Sequence, residues 1–151
     1  MINKIKQIIH LFNEASCIDN QADRNDYIQS IPLNMTEDWI KKLLVNSWPV
    51  SDMDFGVNNI YGLECISKSP LQTDLIKIGY LHIGCGANGD PIVLRLNDSY
   101  VCFQDHDSER LNDDLKRSIY PYKHLSDYLI DCMDLESDLP ADASDIKAKK
   151  L

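Results

Sequence analysis

The chain has 151 residues, 44% of them hydrophobic, and carries 24 acidic against 15 basic side chains, a net charge of −9. That length makes one domain, able to bury about 68–70% of its unfolded surface. The charge excludes a general nucleic-acid binder, which needs a basic face, and no stretch approaches the ~20 apolar residues of a membrane span.

Ile2, Ile5, Ile8, Ile9 and Phe12 recur at helical spacing, so 2–15 is expected to be an amphipathic helix and not a signal peptide, since Lys4, Lys6, Gln7, His10 and Asn13 interrupt any apolar run. Residues 16–34 read as irregular or as a short helix. Thr36 is a fitting N-cap for a helix with Glu37 and Asp38 in its first turn and Trp39, Ile40, Leu43 and Leu44 on its apolar face, ending before Pro49. Residues 50–62 read as a loop, and 62–67 as a strand.

Residues 84–90, GCGANGD, spell G-x-G-x-x-G after the apolar run LIKIGYLHI. A dinucleotide fingerprint requires a helix to follow, so that free N–H groups meet the pyrophosphate. Here Pro91 and Ile92–Leu96 follow, a short strand closed by Asn97-Asp98-Ser99, and then Tyr100–Phe103. Asn88-Gly89 is instead a hairpin signal of the type I′ kind, with Gly84 and Gly86 marking a bulge or a close backbone approach. The expected result is a three-stranded antiparallel meander of strands 75–83, 91–96 and 100–104. A last helix spans about 124–135, with Leu125, Tyr128, Leu129 and Cys132 inside. The acid-rich stretch from Asp134 to Asp145 then reads as a frayed, solvated tail. The expected division is one globular domain over 1–135 and a poorly ordered acidic tail over 136–151.

Five cysteines, odd in number and without a C-x-x-C pair, suit reduced thiols of the cytosol and not a disulfide framework or zinc site. His82 and Cys85 lie three positions apart on one strand and make a poor base–nucleophile pair. Asp105-His106-Asp107 alone is weak evidence for a metal. No cofactor or metal is expected, and an enzyme is the less favoured class.

The block Ile78-Gly79…Gly84-Cys85-Gly86-Ala87-Asn88-Gly89-Asp90-Pro91-Ile92-Val93-Leu94, followed by Tyr100-Val101-Cys102-Phe103…His106 and the terminal Leu125-Ser126-Asp127-Tyr128-Leu129, resembles the SUKH superfamily of Smi/Knr-type proteins over roughly residues 75–130. His124 stands where that family usually has Ser. The resemblance implies an α+β fold, with N-terminal helices packed on a mostly antiparallel twisted sheet and a C-terminal helix. It implies a non-catalytic immunity protein that binds and neutralises a co-encoded toxin, often a nuclease. The alternatives are a regulatory protein-interaction domain of the same type, or a small ligand-binding domain or enzyme using the Gly84–Gly89 turn. An acidic protein suits a basic toxin. The partner-binding candidates are the loop acids Asp52 and Asp54, Asp90 at the hairpin, and Asp105, Asp107, Glu109, Asp113 and Asp114 beyond the last strand of the meander.

Overall fold

The first helix follows from its spacing. In the computed structural model, which describes residues 2–16, 21–33, 37–106, 118–134 and 137–149, α1 (Ile2–Ser16) buries Ile8 and Phe12 completely. Helix α2 (Gln21–Ile28) has little apolar surface, and its one buried residue is Arg24. The Arg24 guanidinium donates to the carbonyls of Trp48 at 2.6 Å, Val45 at 3.0 Å and Leu44 at 3.2 Å. Leu44 and Val45 lie in the last turn of α3 (Asp38–Asn46), whose carbonyls have no intrahelical donors, and Trp48 follows just beyond it. Thr36, the expected cap of α3, lies outside the described residues. Glu37 precedes the helix without capping it, and its carboxylate instead accepts the Trp39 indole N–H at 2.7 Å. Ile40, Leu43 and Leu44 form the buried side of α3, as expected, and Trp48 packs on Phe12 with ring centroids 4.9 Å apart.

The sheet is larger than the meander read from the sequence. Six antiparallel strands run in chain order: β1 (Met53–Asp54), β2 (Asn58–Ile60), β3 (Tyr80–Gly86), β4 (Pro91–Arg95), β5 (Tyr100–Gln104) and β6 (Ile119–His124). The expected loop 50–62 therefore holds two strands, too short to show alternation. The expected strand 62–67 is helix α4 (Leu63–Lys68), whose buried Leu63 and Ile66 are spaced i, i+3. Helix α5 (Gln72–Lys77) takes the start of the expected strand 75–83, and Gly79, at φ +88°, ends it in the left-handed conformation. Pro121 sits in β6, an edge strand, where a missing N–H is tolerated.

Alternation divides the sheet into two faces. Leu81, Ile83, Ile92, Leu94, Val101 and Phe103 join Ile8, Phe12, Leu43, Trp48 and the buried side of α6 (Leu125–Met133) in the main core. On the reverse face Tyr80, Val93, Cys102 and Ile119 form a smaller cluster with Leu75, covered by α5. Leu125, Tyr128, Leu129 and Cys132 are buried as their spacing requires, and His124 caps α6 by accepting the Ser126 N–H. The architecture is α+β.

The GCGANGD turn joins strand to strand, but not as a two-residue type I′ turn. Gly89 has φ +87° while Asn88 stays at negative φ. The Gly89 N–H reaches the Gly86 carbonyl at 3.0 Å and the Gly86 N–H reaches the Asp90 carbonyl at 2.9 Å. This is a three-residue loop with a left-handed final residue. The expected bulge falls between His82 and Gly84.

The expected frayed tail is corrected by its packing. Helix α7 (Ala143–Lys149) puts Ala143 and Ile146 into the main core. The preceding stretch lies so close that a Cβ on Gly86 would stand 2.1 Å from the Ala141 carbonyl oxygen. Two of the acids that suggested solvation are used locally: Asp145 accepts the Ala141 N–H and Asp142 accepts the Ser144 hydroxyl. The globular unit thus runs past residue 135 and includes α7.

Candidate functional site

The sheet register decides which turns are neighbours. Asn58 pairs with Gly86, Ile92 with Phe103 and Gln104 with Ile119. The β1–β2 turn, the β3–β4 loop and the exit of β5 therefore share one end of the sheet. The chain from Asp138 to Asp145 runs past that end: the Ala87 N–H donates to the Ala141 carbonyl at 2.9 Å, and Asn88 bonds the Asp142 carboxylate. Five acids of the described chain gather there from sequence-distant segments: Asp54, Asp90, Asp105, Asp142 and Asp145.

They differ in what they can offer. Asp54 is exposed, and its side chain closes an Asx turn on the Gly56 N–H at 2.9 Å. Asp90 is only 5% exposed. It accepts the first N–H of α7, from Ala143, at 2.8 Å, and it binds both the backbone N–H and the ring Nδ1 of His106. That placement corrects the expectation of a surface residue: Asp90 is the internal anchor of this end. Asp105 is half-buried and ion-paired with Lys147, whose ammonium also lies 4.6 Å from the centroid of the Tyr120 ring. Asp142 is held below the usual carboxylate range, first by the Ser144 hydroxyl and also by Asn88. A polar cavity of about 370 Å³ opens among Asn88, Asp90, Asp105, His106, Asp142 and Ser144. Asp52 is not at this end. Its carboxylate accepts the Gly62 N–H at 2.8 Å and the Cys65 thiol at 3.5 Å, tying β1 to the start of α4. Asp107, Glu109, Asp113 and Asp114 lie outside the described residues. Among the described residues, no group of three His, Cys, Asp or Glu is placed to hold a metal ion.

A second constellation lies on the reverse face, beside α5. His82 is 5% exposed. Its Nδ1 stands 2.6 Å from the Ser69 hydroxyl and its Nε2 2.9 Å from the Gly84 carbonyl. Its backbone N–H and C=O are both taken by the Gln72 side chain, at 2.7 and 3.1 Å. The Tyr61 ring meets the imidazole edge-on at 5.0 Å. Burial lowers the His82 pKa and holds the ring neutral, while burial, then Asp52, pushes the Cys65 thiol up to about 11. The pair considered from sequence, His82 and Cys85, line the same pocket, but both ring nitrogens of His82 are committed to other partners. No motif announced Ser69. It precedes Pro70, which disfavours helix for the residue before it, and this was the one local signal at that position.

The other histidines have local roles: His10 is exposed and faces Glu14 at 3.2 Å, and His124 stacks on Trp39 at 5.9 Å. No helix among the described residues is long and apolar enough to cross a membrane. No family model, no curated protein and no solved structure matches this chain.

Proposed function

We propose that the chain is a protein-binding domain whose acidic sheet end engages a basic partner, as a SUKH-type immunity protein would engage a co-encoded toxin. The observation that carries the reading is the convergence of Asp54, Asp105, Asp142 and Asp145 from three segments on one end of a fixed antiparallel sheet. Carboxylates gathered on a rigid scaffold create a field that draws in and orients a cationic surface, which raises the association rate and selects the partner. The exposed acids are the ones available for this. Asp90 contributes by fixing the end's shape.

The test is capture of a basic protein by the full chain, read at low and at moderate salt, followed by binding kinetics with the captured partner. Asp54→Lys combined with Asp138→Lys, an exposed acid on the segment that runs past this end, is expected to weaken binding about tenfold or more, mostly through slower association. Asp74→Lys, on α5 away from this end, is expected to leave it unchanged. Equal effects of the two sets, or binding indifferent to salt, would remove the acidic end from consideration.

A further inference from the structure

We infer that Ser69 is a base-assisted nucleophile, and that the pocket around it takes small esters with short apolar acyl groups. The pocket measures about 420 Å³, within the range of small-molecule sites, with Pro70, Leu71 and Pro91 on its apolar walls. It lies on the reverse face of the sheet, so the inference stands apart from the protein-binding reading.

The hydrogen bonds assign the protons. Nε2 of His82 faces a carbonyl, which only accepts, so Nε2 carries the ring hydrogen. Nδ1 is then the lone-pair nitrogen, and the Ser69 hydroxyl must donate to it across 2.6 Å. A nucleophile on a base, with the base oriented by a third group, is the arrangement that activates serine. The orienting group here is the Gly84 carbonyl, exposed to the ring by the bulge between His82 and Gly84. Gln72 clamps the His82 backbone from both sides, and Ser69 sits extended before Pro70 at φ −58°, ψ 128°. The Leu71 N–H, 3.3 Å away, occupies an acceptor site on the serine oxygen without taking its proton. The depressed pKa keeps His82 a free base at neutral pH. The neighbouring thiol of Cys65 stays protonated and does not compete.

In the step proposed, Ser69 Oγ bonds the ester carbonyl carbon as its proton moves to His82 Nδ1. The bond to the leaving alcohol then breaks, and the alcohol oxygen takes the proton from Nδ1. The product is an acyl ester on Ser69. Water attacking that ester, with Nδ1 again taking the proton, returns the free hydroxyl and releases the acid.

The probe is p-nitrophenyl butyrate on the full chain, with nitrophenolate release followed by absorbance and the modified peptide mapped by mass. One equivalent of acyl group on Ser69 is expected. Its rate should rise with pH to a plateau whose midpoint lies below about 6.5, the ordinary histidine value. Ser69→Ala, checked for folding by its melting curve, should slow release about a hundredfold. Phenylmethylsulfonyl fluoride on the unaltered protein should also label Ser69, which needs no variant. Acyl groups found on lysines alone, an unchanged rate in Ser69→Ala, or no adduct on Ser69 with either reagent would overturn the proposal.

Discussion

The Tyr128 hydroxyl donates to the Asn58 side-chain oxygen at 2.7 Å, joining α6 to β2 across seventy residues of chain. The Asn58 amide nitrogen continues the connection to the Pro140 carbonyl, also at 2.7 Å. All three residues are buried, so one chain of hydrogen bonds links α6, a three-residue strand and the segment that leads into α7. Burial at this place drives the Tyr128 pKa well up and keeps its hydroxyl protonated as the donor.

Tyr128→Phe keeps the ring's packing and removes only the donor. Asn58 then has a buried acceptor without its partner. The expected cost is about 1–3 kcal/mol, measured by urea unfolding. A variant as stable as the parent would mean that solvent reaches Asn58.

Arg24 is a cap supplied from another helix. Arg24→Met leaves three carbonyls, two in the last turn of α3 and one just beyond it, without their charged donor, and is expected to cost about 1.5–3 kcal/mol. Arg24→Lys should recover little of this, because a single ammonium cannot match the fork that meets Trp48, Val45 and Leu44. Full rescue by lysine would show that charge alone matters at this helix end.

Docking of the C-terminal segment is tested from both sides of its contact. Ile146→Ala is expected to lose about 2–4 kcal/mol, since Ile146 is 3% exposed in the main core. Gly86→Ala places a methyl group against the Ala141 carbonyl and should lift the segment away. Its signature would be faster hydrogen exchange and protease cleavage confined to 137–149. A solvated tail would register neither substitution.

Two of the shifted groups show how stability depends on acid. Burial depresses the His82 pKa, so above about pH 6.5 the ring is neutral in both folded and unfolded chains. As pH falls below that value the unfolded chain takes the proton first. Stability then drops until the folded ring protonates too, where the loss levels off. Asp98 has the opposite chemistry and the same direction. Its pKa is lowered chiefly by hydrogen bonds from Arg95, at 2.7–3.1 Å. The stability it adds is present above the unfolded value near 3.9 and lost as pH falls through the folded one. Histidine ring resonances should place the His82 midpoint below about 6.5. Asp98→Asn should flatten only the limb below about pH 4. A His82 midpoint at or above its ordinary value would contradict the burial seen here.

The elements legible in the sequence were those with enough residues to show a period. Ile8 and Phe12, the β3–β5 meander, and Leu125, Tyr128 and Leu129 all have neighbours at the right spacing. Strands β1 and β2 have two and three residues and exist through pairing with β3, a non-local fact. Strand β6 was hidden by Pro121 and by a run of half-buried residues that an edge position allows. The packing of the tail is hard to read because its carboxylates outnumber its two core residues, although two of them, Asp142 and Asp145, serve the turn itself. At the acidic end, Asp54 and Asp105 could be placed from the turns they flank. Asp90 could not, since its fate depends on the N–H of Ala143, 53 residues away. Ser69 and His82 are 13 residues apart and meet only because α4, Pro70 and a bulge bring them together.

Every strand of the sheet lies beside its sequence neighbour, and at the acidic end the β1–β2 turn closes on itself through Asp54 and Gly56, whereas the β3–β4 loop is tied to the segment before α7. An insertion or exchange in the β1–β2 turn leaves the strand pairing beyond it untouched, while one in the β3–β4 loop has to keep its seat on the C-terminal segment. One tip is therefore free to vary over a constant frame, and the other is held to the shape of the helix that docks against it.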